Sequence, residues 1–505
     1  MKFRRTLALC AGLLLAVSAA PGPLGAADTT IVISQGVDPV TMDPLQRTIT
    51  PTTNVQLNMF DTMVRHDRDG KVIPWLATSW RRVAPTVWEF KLRRNVKFWN
   101  GDPLTSADVK FSIEKIKDPA EKSEQGPRVN TVERVETPDP STVRIVTPRP
   151  VALMPGYPWL TMIVDGKYWT EHGNAYEAEH PMGSGAYIFK SWTKDEEVDL
   201  DVNPNWWHGR APIDHVVFKP IPEAASRVAA LRTGETDLIT NVPVQDQLQL
   251  AGGRTTQLES ARSVRVLFIA FNTVKPGPQT NKLVRQALNY ALDVPAIVKT
   301  VLGGRGYPLS SPLPPNFTGY DPKIPFYNHD LAKAKALLAQ AGYPDGKGLE
   351  LVINAPTGRY NRDKEVAEAV AGQLSATGAK VTTRIAEWTT YVNQVSQRAL
   401  APAYELGWGN DSYDADNTLT SLLSSDARLS TYANPELDKI LTDARFEVDP
   451  AKRQALYSKA LTIVHDEAPW LFLFEYEDLY ASSKRLVWQA RPDELLLCDE
   501  MKLGG

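Results

Sequence analysis

From Val87 to Arg93 apolar and polar residues alternate, with Trp88, Phe90 and Leu92 on one face and Glu89, Lys91 and Arg93 on the other. That two-residue period predicts a half-buried strand. Thr30 to Ser34 is a shorter β-branched strand, and Val264 to Phe271 is apolar enough to lie in the middle of a sheet. Asn100-Gly101-Asp102 turns the chain, and Thr105 with Asp108 forms a capping box that opens a helix through Ile116. In the later half, Leu283, Val284, Ala287, Leu288 and Ala291 recur at helical spacing. Asp330 caps an alanine-rich helix that Gly342 ends, with Pro344 just beyond. Asn434-Pro435 and Asp449-Pro450 start two more helices with proline at the first helical position, and Ala468-Pro469 breaks into a buried strand, Trp470 to Phe474. Strands and helices alternate throughout, which predicts an α/β class. With no repeats, heptads or long low-complexity linker, the lobes are expected to be interwoven.

The N-terminus changes the picture of where the protein works. Lys2, Arg4 and Arg5 precede an apolar run from Thr6 to Ala20, and Gly25-Ala26-Ala27 supplies small residues for cleavage before Asp28. This predicts a secretory signal peptide over residues 1–27. The run is short of the roughly 20 apolar residues that span a bilayer. Leu13 to Val17 continue it past Cys10, so Cys10 does not read as a lipidated cysteine, and a periplasmic location is expected. One cysteine, Cys498, then remains and no internal disulfide can form; a chain of this length can rest on its own cores. Losing three cations takes the formal charge from −3 to −3 − 3 = −6. A mildly acidic chain with interspersed signs carries no electrostatic footprint for nucleic acid.

Catalytic motifs are missing. Gly183-Ser184-Gly185 is too short for a nucleophile elbow and reads as a turn before a strand. Gly342-Tyr343-Pro344-Asp345-Gly346-Lys347 is one residue short of a phosphate loop and is followed by Gly348, so it reads as a helix end and turn. His66, His172, His180, His208, His215, His329 and His465 show no metal-ligand spacing. Asp414 and Asp416 could do acid–base work in principle, but on an acidic loop they read as solvated or capping. Neither an enzyme nor a cofactor is expected.

Four blocks in one order carry a family resemblance. The first is Thr41-Met42-Asp43-Pro44 with Asn58-Met59-Phe60-Asp61-Thr62-Met63-Val64. The second is Leu76-Ala77-Thr78-Ser79-Trp80, then Trp88 to Arg93, then Val96-Lys97-Phe98-Trp99-Asn100-Gly101-Asp102-Pro103-Leu104-Thr105-Ser106-Ala107-Asp108-Val109. The third is Gly183 to Tyr187 with Asn203-Pro204-Asn205-Trp206-Trp207 and Arg227 to Asp237, and the fourth is Val284-Arg285-Gln286-Ala287-Leu288-Asn289-Tyr290-Ala291. Together they resemble family 5 of the extracellular solute-binding proteins, the peptide and nickel receptors of ABC importers. The resemblance implies a hinged two-lobed periplasmic binding protein fold of type II, in its large three-domain version. Residues 28–60, 185–270 and 478–505 would form lobe I, 61–184 its inserted subdomain, and 271–477 lobe II. It also implies a monomer that delivers its ligand to a membrane permease.

The same resemblance places the ligand contacts. Trp408-Gly409-Asn410-Asp411 matches the segment where dipeptide receptors hold the peptide ammonium on an aspartate, here Asp411. Thr357-Gly358-Arg359-Tyr360 stands where they grip the carboxylate with an arginine, here Arg359. Both types suit the task, since aspartate only accepts and arginine offers a bidentate fork. Thr48, Ile49 and Thr50 align with a loop that lays backbone along a peptide. Trp388, Trp408 and Tyr413 either line the cleft or belong to the core, and Tyr413 is expected to add bulk near the ammonium end. A short peptide is therefore the expected ligand. An opine, an oligosaccharide, haem or a nickel chelate stay open as alternatives, and an exported hydrolase is the remaining rival.

Overall fold

A computed structural model describes residues 29–47, 49–151, 161–410 and 412–504. The predicted signal peptide lies outside these residues. The expected local elements form where their caps and periods place them. The helix Ser106–Lys117 opens on a complete capping box of Thr105 and Asp108. Asp330, Asn434 and Asp449 cap Leu331–Gln340, Pro435–Phe446 and Pro450–Glu467 with their side-chain oxygens.

Two expected strands are much longer than their apolar runs. Val264 to Phe271 is the second half of Thr256–Phe271, and Trp470 to Phe474 is the start of Trp470–Ser483. These two lie antiparallel in the middle of an eleven-stranded sheet. Residues 256–262 pair with 477–483, residues 266–270 pair with 470–475, and the register slips between them. One end of the ribbon is flanked by Leu238–Thr240 and the other by Ala403–Gly409. The extra lengths carry charged residues such as Glu259, Arg262 and Asp478, so hydropathy alone does not show them. A separate four-stranded sheet contains Val87–Leu92. There Glu89, expected on the wet face, is covered by the long side chains of Arg81, Lys91 and Arg144 that reach its carboxylate.

Two large apolar cores lie on either side of the central ribbon. One gathers Ile31, Phe60, Phe90, Ile113, Tyr187, Phe218 and Leu497. The other gathers Phe268, Leu288, Leu338, Val366, Leu419, Leu461 and Phe474. Two lobes with separate cores, joined by continuous strands, make a hinged α/β fold. Cys498 is free and buried in the first core. Among the described residues no helix is long and apolar enough to cross a membrane.

Candidate functional site

The ribbon slips register at Ser263 to Arg265, and that irregularity faces a cleft between the lobes. Arg265, fully buried there, makes a two-pronged bond to Glu494, with Nη2 to Oε2 at 2.8 Å and Nε to Oε1. It also donates to Thr50 Oγ1 at 2.8 Å and to the Gly407 carbonyl at 2.9 Å. Burial opposes both charges, but each ion overcomes that for the other: Arg265 is held above its ordinary pKa and Glu494 below its own.

Arg359 lies beside this pair. Its position is set by Asp363, at the start of the helix Asp363–Ser375, whose carboxylate accepts from the backbone N–H groups of Gly358, Arg359, Tyr360 and Lys364. Arg359 is only 7% exposed, its Nε has no hydrogen-bond partner among the described residues, and the Glu494 carboxylate is 4.0 Å away. Burial and then the neighbouring Arg265 charge push its pKa down. Burial and then Glu494 push the carboxyl of Asp478, which lines the same region, well above its usual range. Two buried guanidinium groups thus face the Glu494 carboxylate.

Around this cationic end a cavity of about 70 Å³ is lined by both lobes. The guanidinium of Arg359 sits 4.8 Å from the Tyr360 ring and 5.5 Å from the Trp388 ring. Trp388 Nε1, buried at the cavity wall, is a second donor without a partner among the described residues. Such donors cost free energy unless something accepts from them. The site is built to receive acceptor atoms, above all an anion.

The lobes meet around the cavity. An added Cβ on Gly36 would lie 2.0 Å from the Gly358 carbonyl oxygen, so the two backbones touch behind Arg359. Asn241 donates to the Arg359 carbonyl at 3.2 Å. At the other end Ser396 donates to Glu124 Oε1 at 2.8 Å, Arg47 binds the same oxygen, and Arg428 donates to the Lys122 carbonyl. These contacts define a closed arrangement.

Of the residues singled out by sequence, Ile49, Thr50, Arg359, Tyr360, Trp388, Trp408 and Gly409 line one cavity. Asn410 is buried beside it, donating to the Asp414 carbonyl and to Thr418 Oγ1 at 2.8 Å each. Tyr413 packs its ring against Phe317 and over Gly70 of the opposite lobe. Asp411 and Thr48 lie outside the described residues. Asp414 and Asp416 are buried and paired with Arg453 and Arg445. The sequence pattern did not single out Arg265, Glu494, Glu124 or Ser396. A signal existed for Arg265, a lone cation inside an apolar strand; none existed for the other three.

Comparison with known proteins agrees with this geometry. Residues 71–429 match the family model of bacterial extracellular solute-binding proteins, family 5. Heme-binding protein A of Haemophilus influenzae is 31% identical over 430 residues, covering 79% of this chain and 78% of that one. Glutathione-binding protein GsiB of Pectobacterium atrosepticum is 27% identical, covering 100% of this chain and 99% of its own. The periplasmic binding protein DppA of Helicobacter pylori, solved with the peptide STSA, superposes with a TM-score of 0.87 at 26% identity, covering 94% of this chain and 98% of that one. The chain belongs to the bacterial extracellular solute-binding proteins of family 5, which serve ABC importers, and it is a binding protein and not an enzyme.

Proposed function

We propose that this protein captures a short peptide in the periplasm as a monomer and hands it to the permease of an ABC importer. Arg359 holds the peptide carboxylate, and Asp411 holds the ammonium. The observation that carries this reading is the buried, under-compensated guanidinium of Arg359, with a free Nε, at the wall of an interlobe cavity. A ligand carboxylate there gives Arg359 an acceptor of its own, where Glu494 is already bonded to Arg265. Thr50, Tyr360 and Trp388 complete the wall around that group. The related proteins named for glutathione and crystallised with STSA bind peptides, which supports the same class here. Residues 28–60, 185–270 and 478–505 serve as lobe I, 61–184 as its subdomain and 271–477 as lobe II; the two separate cores support this in outline, with Val264 to Ala270 packing into the second core.

The test is mass spectrometry of whatever small molecule is released when the purified protein is denatured, followed by calorimetric titration of the matching synthetic compound. A peptide that loses most of its affinity on C-terminal amidation supports the reading. Recovery of haem, or an undiminished affinity for the amide, refutes it.

A further inference from the structure

Beyond the charged end, the cavity runs along the helix Trp388–Ser396. Trp388, Val392 and Val395 stand at i, i+4 and i+7, so one helical face lines it, and Ser396 ends it. From Trp388 to Ser396 the axis rises about 12 Å at about 1.5 Å per residue. Leu406 and Leu429 line it as well. Between the arginine end and Ser396 the wall is therefore aliphatic and aromatic.

The far end is closed by one carboxylate and two guanidinium groups. Glu124 Oε1 takes Ser396 and Arg47, and Arg428 Nη2 stands 4.0 Å away. A ligand cation reaching this point would meet two arginines, and a ligand anion would have to shed its water along the aliphatic wall on the way. Ser396 and Arg428 approach from the second lobe and Glu124 from the first, so this end exists only when the lobes are closed.

We propose that the recess formed by Trp388, Val392, Val395, Leu406 and Leu429, sealed on closure by the Glu124–Ser396 bond, is a dry subsite for one uncharged apolar side chain of the ligand. The proposal rests on the reading that Arg359 holds the ligand carboxylate, and it narrows the ligand class to short peptides with an aliphatic or aromatic side chain near that end. Burying such a side chain in place of glycine is worth about one to two decades of affinity. Basic and acidic side chains of similar length are disfavoured because their charge would lose its water against the apolar wall.

The probes are Ala-Leu, Ala-Gly, Ala-Lys and Ala-Glu, titrated into the wild type and three variants. Ala-Leu is expected to bind the wild type at least tenfold more tightly than the other three. Leu429→Trp, at a half-buried position that tolerates bulk, fills the recess; it is expected to erase the Ala-Leu advantage and leave Ala-Gly within about twofold. Ser396→Ala is expected to weaken all four by a similar factor, because it removes a closing bond and not a ligand contact. Arg359→Ala is expected to weaken all four as well. Equal binding of Ala-Leu and Ala-Lys, or an Ala-Leu advantage that survives Leu429→Trp, overturns the subsite while leaving the Arg359 reading intact. Unchanged affinities in Arg359→Ala overturn the Arg359 reading instead. Failure of all four dipeptides to bind the wild type overturns both.

Discussion

Replacing Arg359 by methionine is expected to move stability and affinity in opposite directions. Arg359 shares Glu494 with Arg265, and Glu494 is already held by two bonds from Arg265. Exchanging a poorly compensated buried ion for an apolar side chain of similar length stabilises folds by about 1–4 kcal/mol. Against that stand the ring contacts to Tyr360 and Trp388, worth about 0.5–1 kcal/mol or somewhat more. The net expectation is a gain of about 0–3 kcal/mol, read as a higher urea midpoint at unchanged slope. Binding loses its buried charge partner, which costs about 2–5 kcal/mol, or tens to several thousand-fold in Kd. Urea denaturation of the apo protein and calorimetric titration with the ligand recovered from wild type measure both. A variant that is destabilised by more than about 1 kcal/mol yet binds as tightly as wild type would refute the reasoning, since Arg359 would then be a satisfied structural residue.

Gly36→Ala should hinder closure, because its Cβ would meet the Gly358 carbonyl at 2.0 Å; the expected result is at least tenfold weaker binding and a larger radius of gyration with ligand, and normal compaction would count against the closing contact. Burial raises Glu177 to about 8 and Asp43 to about 7, and each folded carboxyl therefore keeps its proton longer than the unfolded one. Wild-type stability should then fall as pH rises from about 4 to 8, and Glu177→Gln should flatten that fall by up to about 4 kcal/mol, with equal urea midpoints of both proteins at pH 5 and 8 refuting it. Asp61→Ala strands the Trp75 and Trp207 indole N–H groups and the Ser184 hydroxyl, which bond it at 2.7, 2.9 and 2.9 Å, so a loss of about 3–5 kcal/mol is expected in denaturant titration; a loss under about 1 kcal/mol would show that these donors find other partners.

What the chain announces about itself depends on how far its signals travel along the backbone. Thr105, Asp330, Asn434 and Asp449 satisfy N–H groups two or three residues away, and so their helices could be read directly. The strand starts at Thr256 and the strand end at Ser483 could not, because their partners lie more than 200 residues apart in sequence and pairing, not hydropathy, extends them. The site divides in the same way. Arg359 and Tyr360 stand in one short turn that Asp363 holds from within the segment. The Arg265–Glu494 bond joins residues 229 apart, and Ser396 finds Glu124 across 272 residues. Only folding brings such pairs together, and no spacing in the sequence records them.

The paired central strands also limit how this molecule can move. Two antiparallel strands bonded side by side make a flat strip, soft to flexing across its face and stiff to shearing within its plane. Lobes joined by such a strip behave as a clamshell with a single axis, and twisting or sliding between them is resisted by the ladder itself. The ladder is interrupted at the slip near Ser263 to Arg265. Because Arg265 is both part of that slip and bonded to Thr50, Gly407 and Glu494, the break in the strip and the charged end of the cleft are the same few residues. A substitution there disturbs the strip and the grip on the cargo at once, whereas one at Ser396, on the rim, leaves the strip intact.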